Sequence, residues 1–109
     1  MKRDYEAIVL GLGGIGSGAL YWLSRRLGQE VLGLEQFELG HDRGGSQDHS
    51  RIIRYSYQAP HYVRLAAGAY DAWTIVEEES GEQLVVRCGG LDLFPEGGSE
   101  PIADYVGSL

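Results

Sequence analysis

The stretch Gly11-Leu12-Gly13-Gly14-Ile15-Gly16 decides how the first third of this chain is read. It fits G-x-G-x-x-G, and its flanks give the pattern a structural setting. Before it, Tyr5 to Leu10 is a short apolar run with β-branched Ile8 and Val9, which reads as a buried strand. After it, Ile15, Ala19, Leu23 and Leu27 recur every four residues, with Leu20 and Trp22 alongside, the spacing of a helix. Arg25 and Arg26 suit the negative C-terminal end of that helix, and Gly28 is a natural cap. Val31 to Leu34 is a second apolar run, closed by Glu35. Strand, glycine turn, helix and strand make a βαβ unit, whose crossover should be right-handed.

Each glycine has a physical task in such a unit. Gly11 permits the tight turn, Gly13 lets the backbone approach a pyrophosphate, and Gly16 lets the helix pack closely on the sheet. The helix N-terminus then faces the anion. Glu35 stands 19 residues after Gly16, where a carboxylate accepts hydrogen bonds from the ribose of an adenosine half. The plain alternative, a glycine-rich turn with a surface Glu, leaves that register a coincidence. A Glu at this strand end favours a free 2′-hydroxyl and disfavours NADP, while FAD and NAD both fit the motif.

Further along, Gln36 to Ser50 has no clear periodicity, and irregular segments of this length inside a domain are often functional. From His41 to Arg64 the chain carries four Arg and two Asp, a basic island in a protein of net charge −7. Such an island suggests a bound anion. Arg51 and Arg54 share one face if the segment is helical and lie on opposite faces if it is extended; pairing with Asp48 or the Glu77-Glu78-Glu79 run is the structural alternative.

Pro60 opens a longer helix with a stripe of Tyr62, Leu65, Ala66, Ala69, Trp73 and Val76, stopping near Ser80-Gly81. Leu84 to Cys88 and Leu91 to Phe94 flank Gly89-Gly90, which predicts an antiparallel hairpin. Ser99-Glu100-Pro101 resembles a helix start. Trp22 and Trp73 are core candidates, Cys88 reads as a small buried hydrophobe, His61 as a cap-region residue, and Tyr55 and Tyr57 as alternating in packing. Glu77-Glu78-Glu79 reads as a solvated helix end, unfavourable to the dipole.

These elements do not complete a doubly wound sheet, so the 109 residues are expected to be a fragment of a larger protein rather than a complete small α+β domain. Hydrophobic residues at 43% and charged residues at 23% indicate a globular fold. The acidic balance, 16 Asp+Glu against 9 Lys+Arg, disfavours nucleic acid as a partner. One cysteine excludes an internal disulfide and a multi-cysteine zinc site, no metal site is expected, and the default setting is reducing and cytoplasmic. Ala7 to Ser24 is uncharged, but its glycines make it a poor membrane span, and neither an anchor nor a signal peptide is expected.

The fingerprint followed by Ser50-Arg51-Ile52-Ile53-Arg54 resembles the start of the monomeric sarcosine oxidase family. That family includes N-methyltryptophan and pipecolate oxidases, among the D-amino-acid-oxidase-like FAD oxidoreductases. The likeness runs from Tyr5 to about Gly98, and the Gly-Ser-rich loop leading to the two arginines is its most selective part. It implies an FAD-binding domain over residues 1–80 and the beginning of a substrate domain over 81–109. It also implies that Gly11, Gly13, Gly14, Ile15 and Gly16 hold the pyrophosphate and Glu35 the ribose. Ser46, Ser50 and Arg51 would lie along the flavin, and Arg54 would bind the carboxylate of a secondary or N-methylated amino acid, with oxygen as oxidant. The resemblance thus makes Arg51 and Arg54 the candidate catalytic pair. The chain has Ser46-Gln47 where family members often carry Ser-His or His-His, and Cys88 does not correspond to the family's flavin-tethering cysteine. Two other readings are weighed beside it: an ATP-binding adenylating domain like that of ubiquitin-activating enzymes, and a non-catalytic truncated remnant.

Overall fold

The computed structural model describes residues 4–99 and 102–109, arranged as two compact units, Met1–Arg51 and Ile52–Leu109. The first is the βαβ unit. Strand β1 (Ala7–Leu10) leads through the glycine turn into helix α1 (Gly14–Leu27), and a 3-10 turn (Gly28–Glu30) leads into strand β2 (Val31–Leu34). The strands pair in parallel, Ala7 opposite Val31 through Leu10 opposite Leu34. Backbone bonds from Glu6 N to Glu30 O and from Gly11 N to Leu34 O carry the pairing one step past each end. Arg25 and Arg26 occupy the last turn of α1, and Gly28 caps it with φ 56.

Helix α1 packs on both strands, through Gly16, Leu20, Leu23 and Leu27, which are all partly buried. The expected stripe is therefore right at Leu23 and Leu27 and wrong at Ile15, which is 90% exposed, and at Ala19, which is exposed too. Gly33 explains the close approach. A Cβ there would stand 2.6 Å from the Leu20 side chain, so a larger residue in the middle of β2 would push the helix away. The strand residues alternate: Ala7 and Val9 are partly buried, whereas Ile8 and Leu10 are exposed. A parallel sheet is ordinarily covered on both faces. Residues 36–50 follow as turns and bends without regular elements, as their lack of periodicity implies.

The second unit is built on helix α2 (Pro60–Ser80), with Pro60 in its first turn and Gly81 as a left-handed cap at φ 72. Among the described residues Ala66 alone is buried. The expected stripe is right at Ala66, Ala69 and Val76 and wrong at Tyr62, Leu65 and Trp73, which are exposed, while Val63, Tyr70, Thr74 and Glu77 are partly buried beside it. Two of these added residues have polar partners for their side chains. The Tyr70 hydroxyl donates to Ile53 O at 3.0 Å, the Tyr70 ring stacks on Tyr55, and Arg87 Nη2 donates to Thr74 Oγ1. Trp73 is left 42% exposed, and Trp22 in α1 38%, so neither is a core residue.

The antiparallel hairpin is overturned: the described sheet consists of the parallel pair β1–β2, and residues 84–94 form no ladder. The amides of Leu84 and Val85 donate instead to Glu77 Oε1, each at 2.7 Å, and Cys88 N turns back to Val86 O. An isolated two-stranded hairpin is marginal in water, and here two of its first donors are already taken. Glu77 is accordingly an acceptor for the returning chain rather than a solvated acid. Cys88 is exposed. Helix α3 (Ile102–Ser108) is held to the unit by the Ser108 hydroxyl, which donates to Tyr57 O, and by an edge contact between Tyr105 and Phe94. The helix start expected at Ser99-Glu100-Pro101 lies largely outside the described residues. No described helix is long and apolar enough to cross a membrane.

Candidate functional site

The glycine loop, Glu35 and the loop after it all belong to the first unit. Gly11 takes φ 84, a conformation that side chains with a Cβ rarely adopt, and so turns the chain from β1 toward α1. Gly16 faces that turn from the helix: a Cβ there would coincide with the Gly11 carbonyl oxygen. Gly13 is the opposite case. It is the N-cap of α1 with extended backbone, no side chain caps the helix, and a Cβ on it would meet nothing within 4 Å. The loop thus leaves the first helix amides beside open space, the arrangement that receives phosphate oxygens.

Glu35 closes this loop. Its Oε2 accepts the Leu12 N–H at 2.7 Å, while Oε1 accepts Gln36 N–H at 2.8 Å and Phe37 N–H at 3.2 Å. The Leu12 amide above all holds the carboxyl below its ordinary range, with help from the Phe37 and Gln36 amides and from His41, and against the opposing effect of burial. A carboxylate offers about four acceptor sites, so Oε2 keeps one without a partner among the described residues.

Sequence reading missed two parts of this cluster, the Leu12 amide and His41. A turn brings His41 back: its N–H donates to Glu38 O, with Gly40 at φ 82 in the third position. Its Nε2 then stands 3.6 Å from Glu35 Oε1, its Nδ1 accepts the Arg43 N–H at 3.0 Å, and its ring meets Phe37 edge-on. The signal was present in Glu38-Leu39-Gly40-His41, a turn sequence just past the strand end.

The structure brings Ser46 to the fingerprint. A Cβ on Gly14 would lie 2.6 Å from Ser46 Oγ. Arg51 closes the same loop on itself, giving Nη2 to Gly45 O at 2.6 Å and to Gln47 O at 2.9 Å, and Nε to Ser46 O at 3.2 Å, with Asp48 at 3.6 Å. Ser50 and Ile15 are exposed. Arg54 belongs to the second unit, where its guanidinium lies 5.2 Å from the Tyr57 ring centre. It lines a cleft of about 270 Å³ with Tyr57, Tyr62 and Tyr105. A larger, open cleft of about 800 Å³ beside Glu77 and Arg87 contains none of the expected site residues. No group of three or more potential metal ligands occurs among the described residues.

Comparison with known proteins agrees with the loop. Residues 6–108 match the family described as FAD dependent oxidoreductase. Monomeric sarcosine oxidase of Streptomyces avermitilis is 45% identical over 92 residues, covering 84% of this chain and 24% of that protein. Peroxisomal sarcosine oxidase of Homo sapiens is 41% identical over 90 residues, 83% of this chain and 23% of the relative. N-methyl-L-tryptophan oxidase of Yersinia pestis is 34% identical over 94 residues, 85% and 25% respectively. The chain therefore spans about a quarter of the length of these relatives. No solved structure matches it. The match selects FAD from the dinucleotides the fingerprint allows and decides against an adenylating domain. On these grounds the chain belongs to the FAD-dependent oxidoreductase family.

Proposed function

We propose that this chain is the FAD-binding N-terminal portion of a cytoplasmic flavin-dependent oxidase acting on secondary or N-methylated amino acids. The carrying observation is the Leu12–Glu35 hydrogen bond, which ties the glycine loop to the carboxylate at the end of β2. The residues present fit the cofactor. Open space at Gly13 and the uncapped helix start suit a pyrophosphate held by Gly11, Gly13, Gly14, Ile15 and Gly16, and the remaining Oε2 site of Glu35 suits a ribose hydroxyl. Residues 1–80 are assigned to the FAD-binding domain and 81–109 to the beginning of the substrate domain.

When bound, the flavin supplies two-electron chemistry that takes an amine to an imine and dioxygen to hydrogen peroxide. The chain's own residues position the reactants. Ser46 and Ser50 line the flavin side of the loop. Arg51 fixes that loop through three carbonyls and would stabilise negative charge on the reduced flavin were its guanidinium beside the ring. Arg54, backed by Tyr57, grips the substrate carboxylate and so orients the adjacent C–H bond. Water then hydrolyses the released imine.

The test is the intact enzyme. It should purify yellow and release hydrogen peroxide with sarcosine or another N-methyl amino acid. A folded, colourless enzyme without FAD affinity would overturn the assignment.

A further inference from the structure

We infer that His41 is a positioning residue for the adenosine half of the cofactor, acting through Glu35 rather than touching the ligand. The inference rests on the FAD reading of this site. Two contacts fix the ring. Nδ1 accepts the Arg43 N–H at 3.0 Å, so the neutral imidazole carries its proton on Nε2. That N–H faces Glu35 Oε1 across 3.6 Å, too long for a hydrogen bond but close enough to attract the carboxylate. The ring is held in this plane by its edge contact with Phe37, whose other partner is the Arg43 guanidinium, 4.5 Å from the ring centre. Glu35 and Arg43 are the charged residues in contact with the imidazole.

The geometry divides the labour on Glu35. Oε1 is occupied by Gln36, Phe37 and His41, while Oε2 faces the glycine loop with one acceptor site left. Without His41, Oε1 keeps the Gln36 and Phe37 amides but loses the imidazole that flanks it from the following turn. The three amides still hold the carboxylate, but less tightly, so Oε2 is less closely set for a ribose hydroxyl beside Leu12. The side chains of Glu35 and His41 are 9% and 18% exposed, so water does not readily replace the imidazole.

Equilibrium titrations with FAD and with ADP, which carries the adenosine half alone, test this. His41→Ala should weaken both by up to about fivefold, the effect of losing a flanking electrostatic partner rather than a hydrogen bond. His41→Gln keeps a donor that reaches Glu35 and should bind within about threefold of wild type, while His41→Asn is too short and should behave like His41→Ala. In a Glu35→Ala background, His41→Ala should have no further effect, because the two act as one unit. Nitrogen NMR of the wild-type imidazole should report Nε2–H and an unprotonated Nδ1, a readout that survives even if a variant fails to fold. The inference is overturned by an Nδ1–H tautomer, by His41→Ala binding as wild type does, or by additive losses in the double variant. A wild-type protein that binds neither FAD nor ADP would instead remove the reading of the site, and this inference with it.

Discussion

The Leu12 backbone N–H donates to Glu35 Oε2 at 2.7 Å, joining the second residue of the glycine loop to the end of β2 across 23 positions of chain. One side chain thereby does two jobs. It satisfies an amide that the turn leaves without a strand partner, and it sets a carboxylate oxygen beside the start of α1. Loop and acid are one structure, which is why their spacing in the sequence is informative.

The glycines of α1 should separate by what stands beside them. Gly16→Ala places a Cβ against the Gly11 carbonyl and should cost about 1–3 kcal/mol of stability, as overpacking does. Gly18→Ala meets nothing within 4 Å and should stabilise the helix by roughly 0.5–1 kcal/mol. Denaturant midpoints of the two variants measure the contrast; equal midpoints would deny the close contact between turn and helix.

Acid should loosen both units through their acceptor carboxylates. Glu77, like Glu35, titrates below the ordinary carboxyl value of 4.5, because the Val85 and Leu84 amides donate to it and Arg87 lies nearby. A folded value lower than the unfolded one adds stability that is complete above 4.5 and lost as pH falls through the folded value. Glu77→Gln keeps one acceptor oxygen but does not titrate, so its stability should depend less steeply on pH below 4.5. A slope identical to wild type would show that Glu77 is not the group responsible.

The two arginines should fail differently in the intact enzyme. Arg54→Lys keeps charge but loses the planar fork, and should raise KM for the amino acid about tenfold with little change in the flavin spectrum. Arg51→Lys cannot reach three loop carbonyls at once and should shift the flavin spectrum and slow reduction at saturating substrate. Anaerobic stopped-flow reduction distinguishes them. Unchanged substrate affinity in Arg54→Lys would return that arginine to a structural role.

Local chemistry made much of this fold legible. The limits of α2 follow from Pro60 and Gly81, and α1 ends at Gly28 with two arginines before it. Contacts between distant residues were not legible. Gly89-Gly90 between apolar runs is sound hairpin chemistry, yet Glu77, just before the helix end, captures the Leu84 and Val85 amides. The burial of Tyr70 and Thr74 has the same origin, since they look polar in a pattern but find partners in Ile53 and Arg87. At the site, Gly11 and Gly16 were readable because backbone geometry demands them, whereas Gly13 and Glu35 were read from the spacing of the motif. His41 was not, because its place depends on a turn at Gly40.

The most direct test of the account is equilibrium FAD titration of the protein beside its Gly13→Val variant. A Cβ at position 13 meets nothing within 4 Å, and a valine there would occupy the open space beside the helix start that is proposed to take the pyrophosphate. The account predicts that wild type binds FAD saturably and that Gly13→Val keeps its far-ultraviolet circular dichroism while losing FAD binding. Wild-type affinity in a folded Gly13→Val protein would contradict it.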